Sequence, residues 1–194
     1  IQNGAVIDVP LTLATIKSSW TGQFVDQDNN NSPVGNPDVI NGDSGNAFNV
    51  DMTVPDNYAL APGAEIPSSV TLHDQPVSQQ IPLVHKHHVY HPGDPNSDQY
   101  GLTQDIVRTI NVHNPKTNKV DVTKQDAKLT RNVDVDLVNG HRQYTPWTTG
   151  NWDAFLTPDV IGWTPDNPGV SAQPVKDGDK DQTIDINYTR DRGS

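Results

Sequence analysis

Cysteine is absent from this 194-residue chain, and methionine and glutamate occur once each. Without thiols there is no disulfide scaffold, no thiolate-ligated zinc and no cysteine nucleophile, and the redox compartment cannot be read. Aromatic residues make up only 6% and hydrophobic residues 32%. With a mean hydropathy of −0.66, that composition suits small domains with thin cores, and the length accommodates one large domain or two small ones. No apolar run approaches the roughly 20 residues of a membrane-spanning helix, so no membrane insertion is expected. Basic residues are few, 13 Lys and Arg against 24 acids, for a net charge of −11. Such a chain is a poor partner for nucleic acid, whose backbone is also anionic. Ala, Glu, Lys and Leu are too scarce for long helices.

What the chain has is turn and strand chemistry. Of the 24 acids 23 are Asp, leaving Glu65 alone, and there are 18 Asn, 21 Val, 17 Thr, 14 Gly and 16 Pro. Asp, Asn, Gly and Pro favour turns, whereas Val and Thr favour strands. Low hydrophobicity with high charge also marks disordered chains, but strand-type alternation argues against disorder here. Over 129–137, Leu129, Val133, Val135 and Leu137 share one face and Thr130, Asn132, Asp134 and Asp136 the other, the period of a half-buried strand. Ile184, Ile186 and Tyr188 repeat the pattern, as do Ile106, Ile110 and Val112 with Arg108 interrupting their face. Asn139-Gly140 reads as a tight hairpin turn. In the first half Phe24-Val25 opens a strand running into the Asp26–Asn31 loop, Val50, Met52 and Val54 alternate, and so do Ile81, Leu83 and His85.

Three landmarks recur in order. Val25-Asp26-Gln27-Asp28 matches Val133-Asp134-Val135-Asp136, Pro55-Asp56-Asn57-Tyr58 matches Pro158-Asp159-Val160-Ile161, and Ile81-Pro82-Leu83 matches Ile184-Asp185-Ile186, at offsets of 108, 103 and 103. They imply two related modules. The polar, turn-rich stretch Pro92–Asp98 reads as their junction, which divides the chain into 1–90 and 91–194. Each module is expected to hold four or five strands and one short helix or loop across the sheet, since the apolar side of a small sheet must be covered. Segment Trp152–Leu156 is the candidate helical turn. The expected class is strand-dominated α+β, two tandem small β-grasp modules in an elongated arrangement, with an all-β sandwich as the alternative. The start at Ile1-Gln2-Asn3-Gly4, without Met, reads as a piece of a longer chain, and Arg192-Gly193-Ser194 as a cloning remnant.

Four of the seven histidines lie in His85-Lys86-His87-His88-Val89-Tyr90-His91. On a strand His85, His87 and His91 share a face, a spacing that suits metal ligation, though no further ligand is fixed nearby. The other readings are an exposed strand end, and a group that charges below about pH 6.5 and alters contacts between modules. Asp26 and Asp28 begin like a calcium loop, but its sixth position is Asn31 and its twelfth Pro37, and the run containing Asp177 and Asp179 fails at Tyr188. Both read as polar hairpin loops. No cofactor is required, and calcium is the ion such Asp-rich loops could take. Trp147, Trp152 and Trp163 cluster near Tyr144. They read as core, or as a platform on which a sugar ring or a partner's side chain stacks, with Trp20 and Tyr58 as counterparts in the first module. There is no nucleophile elbow, no zincin motif and no phosphate-cradling glycine loop, so an enzyme is not expected.

The second half resembles the mucin-binding (MucBP, Mub-type) repeat. The resemblance is carried by Ala127–Val133, Tyr144-Thr145-Pro146-Trp147, Trp152, Pro158-Asp159-Val160-Ile161-Gly162-Trp163-Thr164-Pro165 and Ile184–Thr189, with Trp163 where the pattern usually has Tyr. Phe24-Val25-Asp26, Ser44-Gly45, Pro55–Tyr58 and Leu83–Lys86 look like the companion module that precedes it. The resemblance implies ubiquitin-like β-grasp modules repeated in tandem in a bacterial cell-wall-anchored adhesin. It implies an extracellular location, mucin glycans and in some repeats immunoglobulins as partners, and neighbouring repeats of the same protein. No binding residue carries over from it, and a pure spacer role is the third reading.

Overall fold

The computed structural model describes Gly4 and residues 14–193. Ile1-Gln2-Asn3 and Ser194, from the terminal segments read above, lie outside them. The chain divides into two units, residues 1–87 with 136–139, and residues 88–135 with 140–194. Among the described residues there is no α-helix, only two single 3-10 turns, Gln27–Asn29 and Asp98–Tyr100.

The first unit contains β1 (Lys17–Asp26), β2 (Ser32–Asp43), β3 (Ala47–Asn49), β4 (Tyr58–Leu60), β5 (Ser69–Thr71) and β6 (Val77–His85). Its main sheet runs β2-β1-β6-β4. β1 pairs antiparallel with β2 and parallel with β6, Phe24 opposite Ile81. Phe24, Ile81 and Leu83 are buried under Val34, Met52, Val54, Tyr58, Leu60 and Ile66. Phe24-Val25 therefore lie near the end of a ten-residue strand rather than opening one. Val50, Met52 and Val54 form no strand; Met52 and Val54 instead belong to the loop that covers the sheet.

β7 (His87–Tyr90) leads into the second unit, which holds β8 (Thr103–His113), β9 (Val120–Thr130), β10 (Val133–Asp136), β11 (Arg142–Tyr144), β12 (Gly150–Trp152), β13 (Phe155–Leu156), β14 (Trp163–Pro165), β15 (Gly169–Val170), β16 (Gln173–Val175), β17 (Gln182–Ile186) and β18 (Tyr188–Arg190). β8 pairs antiparallel with β9 and parallel with β17, the same hairpin-plus-parallel-strand order as β2-β1-β6. Ile81-Pro82-Leu83 and Ile184-Asp185-Ile186 thus sit on equivalent strands, each parallel to the first strand of its hairpin. The first landmark pairs the wrong strands, because β8 and not β10 is the counterpart of β1.

Two expectations are corrected. Segment 152–156 is not helical: Trp152 ends β12, paired with β16, and Phe155-Leu156 form β13, paired with β15. These strand pairs cover the sheet in place of a helix. Trp152 and Val175 pack on Ile106, Ala127 and Leu129, while Phe155 and Val170 pack on Ile110, Val112 and Ile186. The indole N–H of Trp152 donates to the Ile106 carbonyl at 2.9 Å, a bond that fixes its depth. The run 129–137 is not one strand either. β9 ends at Thr130, β10 begins at Val133, and Asp136, expected outward, is buried. Its Oδ1 accepts the N–H groups of Val138 and Asn139, turning the strand end into a cap, and Gly140 at φ +75° lies in the following loop.

Candidate functional site

Strands β10 and β11 build an aromatic and arginine surface on the second unit. Val133 lies opposite Tyr144 and Val135 opposite Arg142. Buried Leu102, Val133 and Val135 carry Tyr90, Tyr100 and Tyr144 above them. The Arg131 guanidinium stands over two rings, 3.9 Å from the Tyr144 centroid and 4.3 Å from that of Trp147, and its Nε donates to the Gly101 carbonyl at 3.0 Å. Arg142 lies 4.7 Å over Tyr100, Tyr100 packs at 4.7 Å on Tyr90, and His88 meets Tyr90 edge-on at 4.3 Å. The Tyr144 hydroxyl donates to the Tyr100 carbonyl at 2.9 Å. Arginine planes held against rings keep their charge while losing side-chain freedom. The resulting surface joins apolar faces, N–H donors and positive charge on an acidic protein, which is the chemistry a hydroxyl-rich or anionic glycan can use.

Of the aromatic residues singled out in the sequence, Tyr144 and Trp147 lie here, both half-buried. Trp152 does not: at 1% exposure it is core and offers no face to a ligand. Trp163 sits apart in β14, half-buried opposite Arg190 of β18. Arg131 and Arg142 escaped the sequence reading. Their signal was present as single basic residues beside Tyr-Thr-Pro-Trp and Val-Asp-Val-Asp, but stacking partners are invisible in one dimension.

The histidine-rich run separates. His87, His88 and His91 are exposed, while His85 is buried in the first unit with Nδ1 2.6 Å from Asp136 and Nε2 2.7 Å from Asp26. Tyr58 packs edge-on against it at 5.5 Å, and the His85 backbone N–H donates to Asp28 at 2.9 Å. Burial pushes the imidazole pKa down, but hydrogen bonds to Asp136 and Asp26 outweigh it and raise it above the usual 6.5. Burial likewise works to raise the Asp136 pKa, and the bonds from His85, Val138 and Asn139 reverse it to below 3.8. With a carboxylate on each ring nitrogen, both nitrogens donate and the ring is the imidazolium.

Asp26, Asp28 and His85 place ligand atoms within 4.8 Å of one another, but they do not fit calcium. That ion takes six to eight oxygens, whereas one donor here is a nitrogen already held by carboxylates. Asp26 also accepts the Asp28 N–H at 3.0 Å. In the other loop Asp177 accepts from Gln104 at 2.8 Å and Asp179 from the Lys176 N–H at 2.9 Å, so these carboxylates tie down turns.

Residues 97–192 match the family model of the Muc B2-like domain. No curated protein matches the chain. Among solved structures, Mub-RV is similar with a TM-score of 0.65 at 18% identity, over 90% of this chain and 99% of that one. The type 2 repeat of the mucus binding protein MUB from Lactobacillus reuteri gives 0.53 at 17%, over 90% and 100%. The mucin-binding domain of Spr1345 from Streptococcus pneumoniae gives 0.43 at 27%, over 54% and 96%. The first two share the strand-dominated fold. Over residues 97–192, just under half of its length, the chain is similar to the Muc B2-like domain family.

Proposed function

We propose that this chain is a non-catalytic adhesion repeat that binds mucin glycoproteins, and that it works at the bacterial surface as one of several repeats in tandem. The observation that carries the reading is the match of residues 97–192 to the Muc B2-like domain. The arginine and aromatic surface of Arg131, Tyr144, Trp147, Arg142 and Tyr100 supplies a contact face of the right chemistry. The architectural reading is two β-grasp modules, 1–90 and 91–194. It is supported by the recurring hairpin with a later strand parallel to its first. No cofactor is needed, and adhesion that survives EDTA is the expected result.

With a net charge of −11 the whole molecule repels sialylated and sulfated mucin at long range, so contact rests on short-range stacking and hydrogen bonds. One repeat is expected to bind weakly and several linked copies firmly. The test is retention of a multimerised repeat on immobilised mucin. Free mucin oligosaccharides should release it, and Arg131→Ala and Trp147→Ala should weaken it while the protein stays folded. Retention that oligosaccharides leave untouched would indicate recognition of a protein, and no retention at high density would indicate a spacer.

A further inference from the structure

A hollow of about 210 Å³ opens in the first unit, where Ser19 and Trp20 of β1, Thr71 of β5, His73, and Val77 and Gln79 of β6 meet. Its volume falls below the roughly 300 Å³ at which drug-sized pockets begin, leaving room for about one ring. Its lining holds no Asp, Glu, Lys or Arg, although the chain has 24 acids, so neither an anion nor a cation is selected. The floor is apolar and fixed, with the exposed Val77 beside Trp20 and Leu72, which are themselves buried. The benzene ring of Trp20 is committed to Gly22, since a Cβ at that glycine would stand 2.4 Å from Trp20 Cη2. The pyrrole side faces Gln79, with Nε1–H donating to Oε1 at 3.3 Å. That bond leaves the Gln79 amide N–H donors for a guest, with the exposed Thr71 and His73 among the lining residues. An apolar floor with a neutral rim of amide, hydroxyl and imidazole complements a pyranose ring, which is apolar on its faces and hydroxylated at its edge.

We infer that the hollow between Trp20 and Gln79 is a second glycan subsite, taking one uncharged terminal sugar. The inference rests on the proposed mucin adhesion and adds a contact in the first unit to the one on the second. A single ring held by a few hydrogen bonds binds in the millimolar range.

The test is titration of the full ¹⁵N-labelled chain with methyl β-galactoside and methyl N-acetylglucosaminide, with methyl sialoside as the anionic control. Saturable shifts of the Trp20 indole N–H and Gln79 amide with at least one neutral glycoside, and none with the sialoside, are the expected result. Gln79→Glu keeps the acceptor for Trp20 but removes the amide donors and should weaken binding about fivefold. Val77→Phe fills the hollow and should abolish the shifts. The Trp20 indole resonance reports in both variants whether the fold holds. No saturable shift in the parent chain, shifts elsewhere only, preference for the sialoside, or wild-type titration curves in both folded variants would each overturn the inference. Retention of the same proteins on mucin separates the two readings. If the parent is captured but shows no sugar shifts in the hollow, the subsite fails and adhesion stands; if it is not captured, the adhesion reading fails.

Discussion

His85 and Arg108 are the two residues whose role depends most on partners far along the chain. The alternation Ile81, Leu83, His85 put His85 on a buried face, but its carboxylates come from residues 59 and 51 positions away. Removing the ring strands two buried acids. His85→Ala is therefore expected to lose about 3–5 kcal/mol in a urea unfolding series; a loss under about 1 kcal/mol would show that the triad contributes little. The pH dependence follows from the two shifts. A raised histidine pKa stabilises fully below 6.5 and loses that contribution as pH climbs through the folded value. A lowered Asp136 pKa stabilises above 3.8 and is lost as pH falls through its folded value. The thermal midpoint should therefore peak between these limits and fall as pH rises through the raised histidine value, and the alkaline fall should vanish in His85→Ala. Arg108, which interrupts an apolar face in the sequence, lies on that face at 1% exposure. Neutral acceptors hold it: Gln125 Oε1 at 2.7 Å, the Asp153 carbonyl at 2.9 Å and the Ser171 carbonyl at 3.0 Å, with Trp152 at 5.3 Å. Burial lowers its pKa, yet the guanidinium links β8, β9 and the covering strands. Arg108→Met leaves those acceptors short of a donor and should cost about 2–3 kcal/mol by the same measurement.

Among the elements, the covering strands differ most from expectation. Trp152-Asp153-Ala154-Phe155-Leu156 has apolar residues at spacings that fit a helical turn as well as two strand ends, and period alone does not arbitrate over five residues. Tertiary pairing with β16 and β15 decided it. Close packing depends on glycine in each unit. At Gly150 a Cβ would stand 3.0 Å from Ala127 Cβ and 3.1 Å from Leu129 Cδ2, and at Gly22 it would stand 2.4 Å from Trp20 and 2.8 Å from Met52 Sδ. Gly22→Ala should therefore lower stability by about 1–3 kcal/mol through overpacking and shift the Trp20 fluorescence. Gly150→Ala should cost less, because its neighbours need to move only a few tenths of an ångström. Equal stability of Gly22→Ala and the parent would mean that Trp20 repacks freely.

At the level of the whole molecule, charge sets the conditions for the proposed adhesion. The sequence pI is about 4.7, so repulsion from an anionic mucin shrinks as pH falls toward it. Multimerised repeat is expected to be retained more strongly at pH 5 than at pH 7.4, measured as the fraction resisting a buffer wash on mucin. Equal or weaker retention at pH 5 would reject this electrostatic account. Raising salt at pH 7.4 should act in the same direction, because it screens the repulsion between exposed charges.

The amino-acid sequence determined the strand class, the Asn- and Asp-rich turns, the buried face of β6 and the family resemblance of the second half, because strand alternation and turn chemistry are local and act within a few residues. The tertiary structure alone decided that 129–137 breaks into two strands with Asp136 turned inward, that strand pairs rather than a helix cover the sheet of the second unit, and that Arg131 stacks on Tyr144 and Trp147. Each of those outcomes depends on groups brought together across 13 to 110 positions of chain. At that distance burial and pairing outweigh any preference the local sequence expresses.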